Sequence, residues 1–395
     1  MKQKYFVAIC LFNFFVAALM GLLLRYTYLG DIHFNYRFLT HAHSHVAMLG
    51  WVYLLLYSLF VHHFIPEKRP VYYRLFWLTQ LAVMGMMLSF PFQGYASISI
   101  AFSTLHIFCS YYFSYLFFKN AQFGSVITKY LTRTSLVFML ISTIGVWCLG
   151  PAVTMLGNRS AFYQIAIQFF LHFQFNGWFI IAVLTVLFHV LEVQDVKLFR
   201  PFLGLLVLST ILSLALPVHW FLPHPFLIKA NIVAVLLQLI MLFLFLKIIK
   251  PYQKALLASN SKTALYVFGF SVFCFLIKIG MQLTVLSPKF AEEVFQHRNF
   301  VIGFIHLTML GVISGFLLFF IIKNQWVAST ALLKGGVLSF VLGFVLTEII
   351  LLIQGYKYFT GTGIMENYYV ALFLFSMLIP IGVLVFLIQV LRNNH

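Results

Sequence analysis

The chain has 395 residues, of which 63% are hydrophobic and only 8% charged, with a mean hydropathy of +1.00. A water-soluble domain carries about 25% charged residues, so this composition excludes the two or three soluble domains that length alone would predict. The net charge of +17 does not point to nucleic acid, because Lys and Arg stand singly or in small groups at the ends of apolar stretches, where they act as topology signals.

A membrane span needs about 20 apolar residues. Stretches of that kind fall at 5–24, 40–64, 74–92, 96–118, 134–156, 161–190, 201–222, 225–249, 263–287, 299–323, 327–353 and 368–391. The first follows Met1-Lys2-Gln3-Lys4 and carries no small-residue cleavage site, so it is expected to be a span rather than a removed signal. The least distinct break lies between the third and fourth, around Pro91 and Gly94. No linker is long enough to hold a separate domain. The expectation is an all-α polytopic protein of about twelve transmembrane helices, with 1–395 forming a single transmembrane domain in the lipid bilayer. Cys10, Cys109, Cys148 and Cys274 lie far apart inside apolar stretches, without a CxxC or CxxCH; this disfavours a zinc site and a covalently attached haem.

Twelve spans put both termini on one side. Of the 25 Lys and Arg, 17 fall on that side, including Lys2, Lys68, Lys129, Lys250 and Lys334, and 7 on the other, with Lys278 inside a span. The positive-inside rule then predicts a multi-pass protein of the inner (plasma) membrane with both termini cytoplasmic.

An internal repeat runs through the spans. The second reads His45-Val-Ala-Met-Leu-Gly50, the sixth His172-Phe-Gln-Phe-Asn-Gly177 and the tenth His306-Leu-Thr-Met-Leu-Gly311. Each is His-x4-Gly, four helices separate one from the next, and all three run from outside to inside. A pseudo-three-fold array of four-helix repeats is the simplest account.

Histidine is costly in a bilayer and usually faces the bundle interior or a cofactor. His41 and His45 share a helical face, while His43 between them points elsewhere. Neutral imidazole is the usual axial ligand of haem iron and a common copper ligand. A haem between two helices needs one His on each at matched depth, which His45 and His306 provide, with Gly50 and Gly311 to admit the flat macrocycle. Taken singly, each of these histidines is equally explained by a hydrogen bond to a neighbouring helix; the repeat-related pair is better explained by a cofactor. For His62, His63, His106 and His189 the structural explanation is preferred. Lys278 and Glu348 are expected to be buried charges, paired with each other or with haem propionates.

The segment from Phe34-Asn-Tyr-Arg37 through His45 to Phe64-Ile-Pro66-Glu67 resembles helix II of subunit I in the haem–copper oxidase superfamily, the nitric-oxide reductases and C-type oxidases in particular. The segment Phe300-Val-Ile-Gly-Phe304-Ile-His306 through Gly311 resembles helix X. The NnrS-like haem–copper membrane proteins share this layout, with His-x-His on helix II. The resemblance implies twelve helices, low-spin haem b held by His45 and His306 with His41 nearby, and a second metal, copper or iron, on His172, His219 and His224. It also implies an electron-donor protein or quinol as partner. The superfamily's helix X carries His-x-His, and here the first of that pair is Phe304; the adjacent His pair of helix VII is also missing. The catalytic centre is therefore expected to be degenerate. The leading reading is a redox or gas-handling haem protein, either an oxygen or nitric-oxide reductase-like oxidoreductase or an NnrS-like non-respiratory protein. A secondary transporter is the alternative, since twelve helices with internal repeats is also a transporter plan.

Overall fold

The computed structural model describes residues 3–67, 69–194 and 196–393; Met1, Lys2, Lys68, Asp195, Asn394 and His395 lie outside the described residues, two of them being lysines that enter the charge count above. Among the described residues regular structure is helical throughout. Twelve helices are long and apolar enough to cross a membrane: α1 (Gln3–Tyr26), α2 (Tyr36–Phe64), α3 (Pro70–Gln93), α4 (Ser97–Asn120), α5 (Val126–Leu156), α6 (Ala161–Val190), α7 (Val196–His219), α8 (Pro225–Ser259), α9 (Lys262–Leu286), α10 (Arg298–Lys323), α11 (Ala331–Phe359) and α12 (Tyr368–Arg392). Large apolar side chains such as Leu88, Phe92 and Tyr266 face outward, as lipid-covered surface requires. The chain is a polytopic, all-helical membrane protein.

The twelve expected stretches and the twelve helices coincide, with helix ends running on past the apolar core. α5 begins eight residues early, taking in Lys129 and Arg133, and α8 continues through Lys250 and Lys254. Hydropathy marks the hydrocarbon layer, whereas the backbone stays helical into the interface, where long basic side chains reach water. The indistinct break between the third and fourth spans is real. α3 ends at Gln93, Gly94 takes φ +61 and α4 starts at Ser97. The Ser99 hydroxyl donates to Gly94 O at 2.5 Å and accepts from Ala96 N–H at 3.0 Å, so the corner is closed by its own side chain. At the start of α2, Asn35 Oδ1 accepts from the N–H groups of Arg37 (3.0 Å) and Phe38 (3.2 Å), satisfying donors that a helix N-terminus leaves open.

Three helices differ from the rest. In α2, α6 and α10 between 78% and 83% of the apolar window is buried, against 33–56% in the other nine. All three turn π-helical directly after a histidine: Val46–Tyr53 after His45, Phe173–Phe179 after His172 and Leu307–Ser314 after His306. π segments are rare and occur mostly at functional sites. They also offset the carbonyl ladder, which leaves acceptors for other side chains.

The chain divides into two compact units, one of residues 1–122, 261–268 and 314–395 and one of 123–260 and 269–313. In the first, α1 packs against α2 and α12, α11 against α12, and α3 against α4. α11 and α12 approach through glycines: a Cβ at Gly382 would lie 2.7 Å from Gly336 O. Small residues at such crossings let backbones meet where no hydrophobic force drives association. A buried amide pair braces the π segment of α2. Asn13 Nδ2 donates to Gly50 O (2.9 Å) and to Gln80 Oε1 (2.7 Å), and Gln80 Nε2 donates back to Asn13 Oδ1 (3.1 Å). Trp51 of the same segment stacks on Phe14 at 4.5 Å and donates through Nε1 to Ser314 Oγ at 2.8 Å.

In the second unit α5 lies along α6 and α7 along α8. A Cβ at Gly145 would fall 2.5 Å from Ala166 O, so α5 and α6 touch backbone to backbone. The α6 π segment has its own brace, Ser142 Oγ donating to Gln174 Oε1 at 2.9 Å.

Candidate functional site

The densest histidine segment sits in the first turns of α2, held in place by the Asn35 cap. His43 points away from the other two: its Nδ1 meets Ala17 O of α1 at 2.8 Å, and its ring occupies the space a Cβ at Gly21 would need. His41 and His45 share the face toward the α3–α4 corner. His45 stands 4.4 Å from the Phe90 ring and His41 4.7 Å from the Tyr95 ring, centroid to centroid.

His45 is the best-defined of these imidazoles. Its Nδ1 lies 2.8 Å from the His41 carbonyl oxygen. A carbonyl only accepts, so Nδ1 carries the proton and Nε2 keeps its lone pair. That lone pair is directed toward the Tyr95 hydroxyl, 3.3 Å away. A ring fixed through Nδ1–H to a backbone carbonyl, with Nε2 as the electron donor, is the arrangement in which histidine usually serves iron.

Two further residues belong to this neighbourhood. His106 of α4 is buried edge-on against Tyr53 of the α2 π segment, ring centroids 4.6 Å apart, and lies within electrostatic range of His45. Its Nε2 has no hydrogen-bond partner among the described residues. Sequence reasoning assigned His106 a structural role and passed over Tyr95. The only signal for Tyr95 was its place directly after the Gly94 corner.

His306 ends the α-helical part of α10, immediately before its π segment, and belongs to the second unit, whereas His41 and His45 belong to the first. The three residues expected to hold a second metal do not converge. His172 Nε2 donates to the Thr210 carbonyl at 2.7 Å. His219 lies nine residues further along α7, about 13 Å at helical rise. His219 Nδ1 accepts from His224 N–H at 3.1 Å, and His224 Nδ1 accepts from Phe226 N–H at 3.2 Å, capping α8. A neutral imidazole has one lone pair of this kind, and in both residues the backbone has taken it. Among the described residues no three His, Cys, Asp or Glu gather as a metal would require. Copper or iron does not fit this trio as it is arranged.

The two buried charges also have partners other than those expected. Lys278 donates to Asn176 Oδ1 at 2.8 Å, and Glu348 interacts electrostatically with Arg25 of α1. Arg25 in turn donates to Ser376 Oγ and, at 3.3 Å, to Leu372 O of α12.

No protein-family model matches this sequence, and no curated protein matches it.

Proposed function

We propose that the protein binds one low-spin haem b through His45 and His306 and works as a redox or gas-handling protein in the plasma membrane. The observation that carries this reading is the state of His45: Nδ1–H bound to a carbonyl, and Nε2 directed away from the helix with the Tyr95 hydroxyl 3.3 Å from it. On this reading His45 would hold the iron through Nε2, the atom that faces the Tyr95 hydroxyl. His41 orients the ring through its carbonyl, and Phe90 forms an apolar wall beside it. Bound haem would supply a one-electron couple; this chain's residues hold it, orient it and exclude water.

The likeness of α2, α6 and α10 supports descent from a three-fold array of four-helix units within one transmembrane domain. Each is deeply buried and each turns π directly after the His of a His-x4-Gly. The charge asymmetry supports cytoplasmic termini. Phe304 stands where a second haem would need a ligand, and no step at a copper or second iron is part of the proposal. An NnrS-like protein without terminal-oxidase chemistry suits this ligand set better than an oxygen or nitric-oxide reductase.

The test is electron paramagnetic resonance of the oxidised, purified protein. Bis-histidine coordination gives a low-spin ferric signal, and removing one ligand by His306→Ala converts it to high-spin or abolishes it. A low-spin signal unchanged in both His45→Ala and His306→Ala would overturn the assignment.

A further inference from the structure

The second unit contains a buried cation that makes no ion pair among the described residues. Lys278 stands in the last α-helical turn of α9, which runs as α-helix to Met281 before a turn and a short 3-10 segment at Thr284–Leu286. It is 4% exposed. Its Nζ donates to Asn176 Oδ1 at 2.8 Å and lies 5.8 Å over the Phe304 ring. Asn176 is on the α6 π segment, and its own Nδ2 donates to His172 O at 3.3 Å. An ammonium has three donors, and the Asn176 amide accounts for one of them.

Among the described residues no carboxylate pairs with Lys278. The described acids of its unit, Glu192, Glu292 and Glu293, all lie outside the spans. The ionisable neighbour that Lys278 does interact with, His172, adds no negative charge. A single charged side chain inside a bilayer costs several kcal/mol and marks a ligand or ion pathway by default. A second polar group lies in the turn that follows the helix. Gln282, one turn from Lys278, has a buried Oε1 without a hydrogen-bond partner among the described residues. Asn176 is only partly buried, so the cluster is not sealed on that side.

We infer that Lys278, with Asn176 and the π turn after His172, forms a binding site for a small inorganic monoanion inside the second unit. Phe304 closes one side with its ring face. The site is separate from the iron ligand on the same helix. Phe304 and His306 are two residues apart on an α-helical turn, about 200° around the axis, so Lys278 addresses the side of α10 away from His306. The inference does not depend on haem being bound.

Thiocyanate is a suitable probe, because its nitrile stretch reports the bound ion directly in the infrared. The purified full-length protein in detergent at neutral pH is expected to show a saturable bound band, displaced by nitrite. Lys278→Arg keeps the charge and retains the band. Lys278→Met removes it or weakens affinity by about tenfold or more, with the variant's helical circular dichroism and elution as wild type. The band persists in His45→Ala, which separates the lysine from any iron. Absence of a bound band in wild type would overturn the inference, as would equal binding by Lys278→Met or loss of the band in His45→Ala alone.

Discussion

Asn13 offers a direct check on how the π segment of α2 is held. It is fully buried in α1 and takes part in three hydrogen bonds, to Gly50 O at 2.9 Å and reciprocally with Gln80 at 2.7 and 3.1 Å. Interhelical hydrogen bonds in membranes average about 0.6 kcal/mol each and reach about 1.7. Asn13→Ala therefore loses about 2 kcal/mol from the bonds alone. The stranded amide of Gln80, 4% exposed, adds about 1–3 kcal/mol for an unsatisfied buried group. Gln80→Leu removes two of the bonds and leaves Asn13 still able to serve Gly50 O, so it costs less, about 1–2 kcal/mol. In the double variant Asn13→Ala/Gln80→Leu the stranded amide is gone, and the combined loss should fall below the sum of the singles by about 1 kcal/mol or more. The assay is reversible unfolding in mixed micelles, or steric trapping in bicelles, on all four proteins. Strictly additive single losses would show that the two amides do not act as a pair, and the account of the brace would fail.

Other expectations follow from the same contacts. Gly382→Ala places a methyl 2.7 Å from Gly336 O and should destabilise α11–α12 packing by about 1–3 kcal/mol, whereas Gly269→Ala, with nothing within 4 Å, should be neutral in the same unfolding assay. His172→Phe should lower stability by about 1 kcal/mol through loss of its bond to Thr210 O and leave any haem spectrum unchanged; loss of haem would restore a cofactor role for His172. Reporter fusions after residues 160 and 393 should report opposite faces of the membrane, and the same face for both would reject the charge-based topology.

The span pattern was legible because the hydrocarbon layer selects composition directly, residue by residue. His-x4-Gly fell on α2, α6 and α10, the three helices with the most buried apolar windows, yet their π segments were invisible. One extra residue in a turn changes no hydropathy, and the braces that accommodate it, Asn13 with Gln80 and Ser142 with Gln174, join residues far apart in sequence. Lys278 and Glu348 were recognisable as buried charges, but their partners were not. Asn176 looked like an ordinary polar residue of α6, and Arg25 like a helix-end cation. The backbone contacts of the expected metal trio were hidden for a related reason. His172, His219 and His224 were expected to hold a metal, and His219 and His224 accept from backbone N–H groups at the α7–α8 turn. Backbone demand of this kind has no signature in spacing.

The proposed function rests on one haem b held by His45 and His306. Pyridine haemochrome analysis of protein purified from a haem-replete host, set against chain concentration, tests it most directly. One haem b per chain is expected in wild type, with a near-complete loss in His45→Ala. A wild-type protein without haem, or a His45→Ala protein with its full complement, would contradict it.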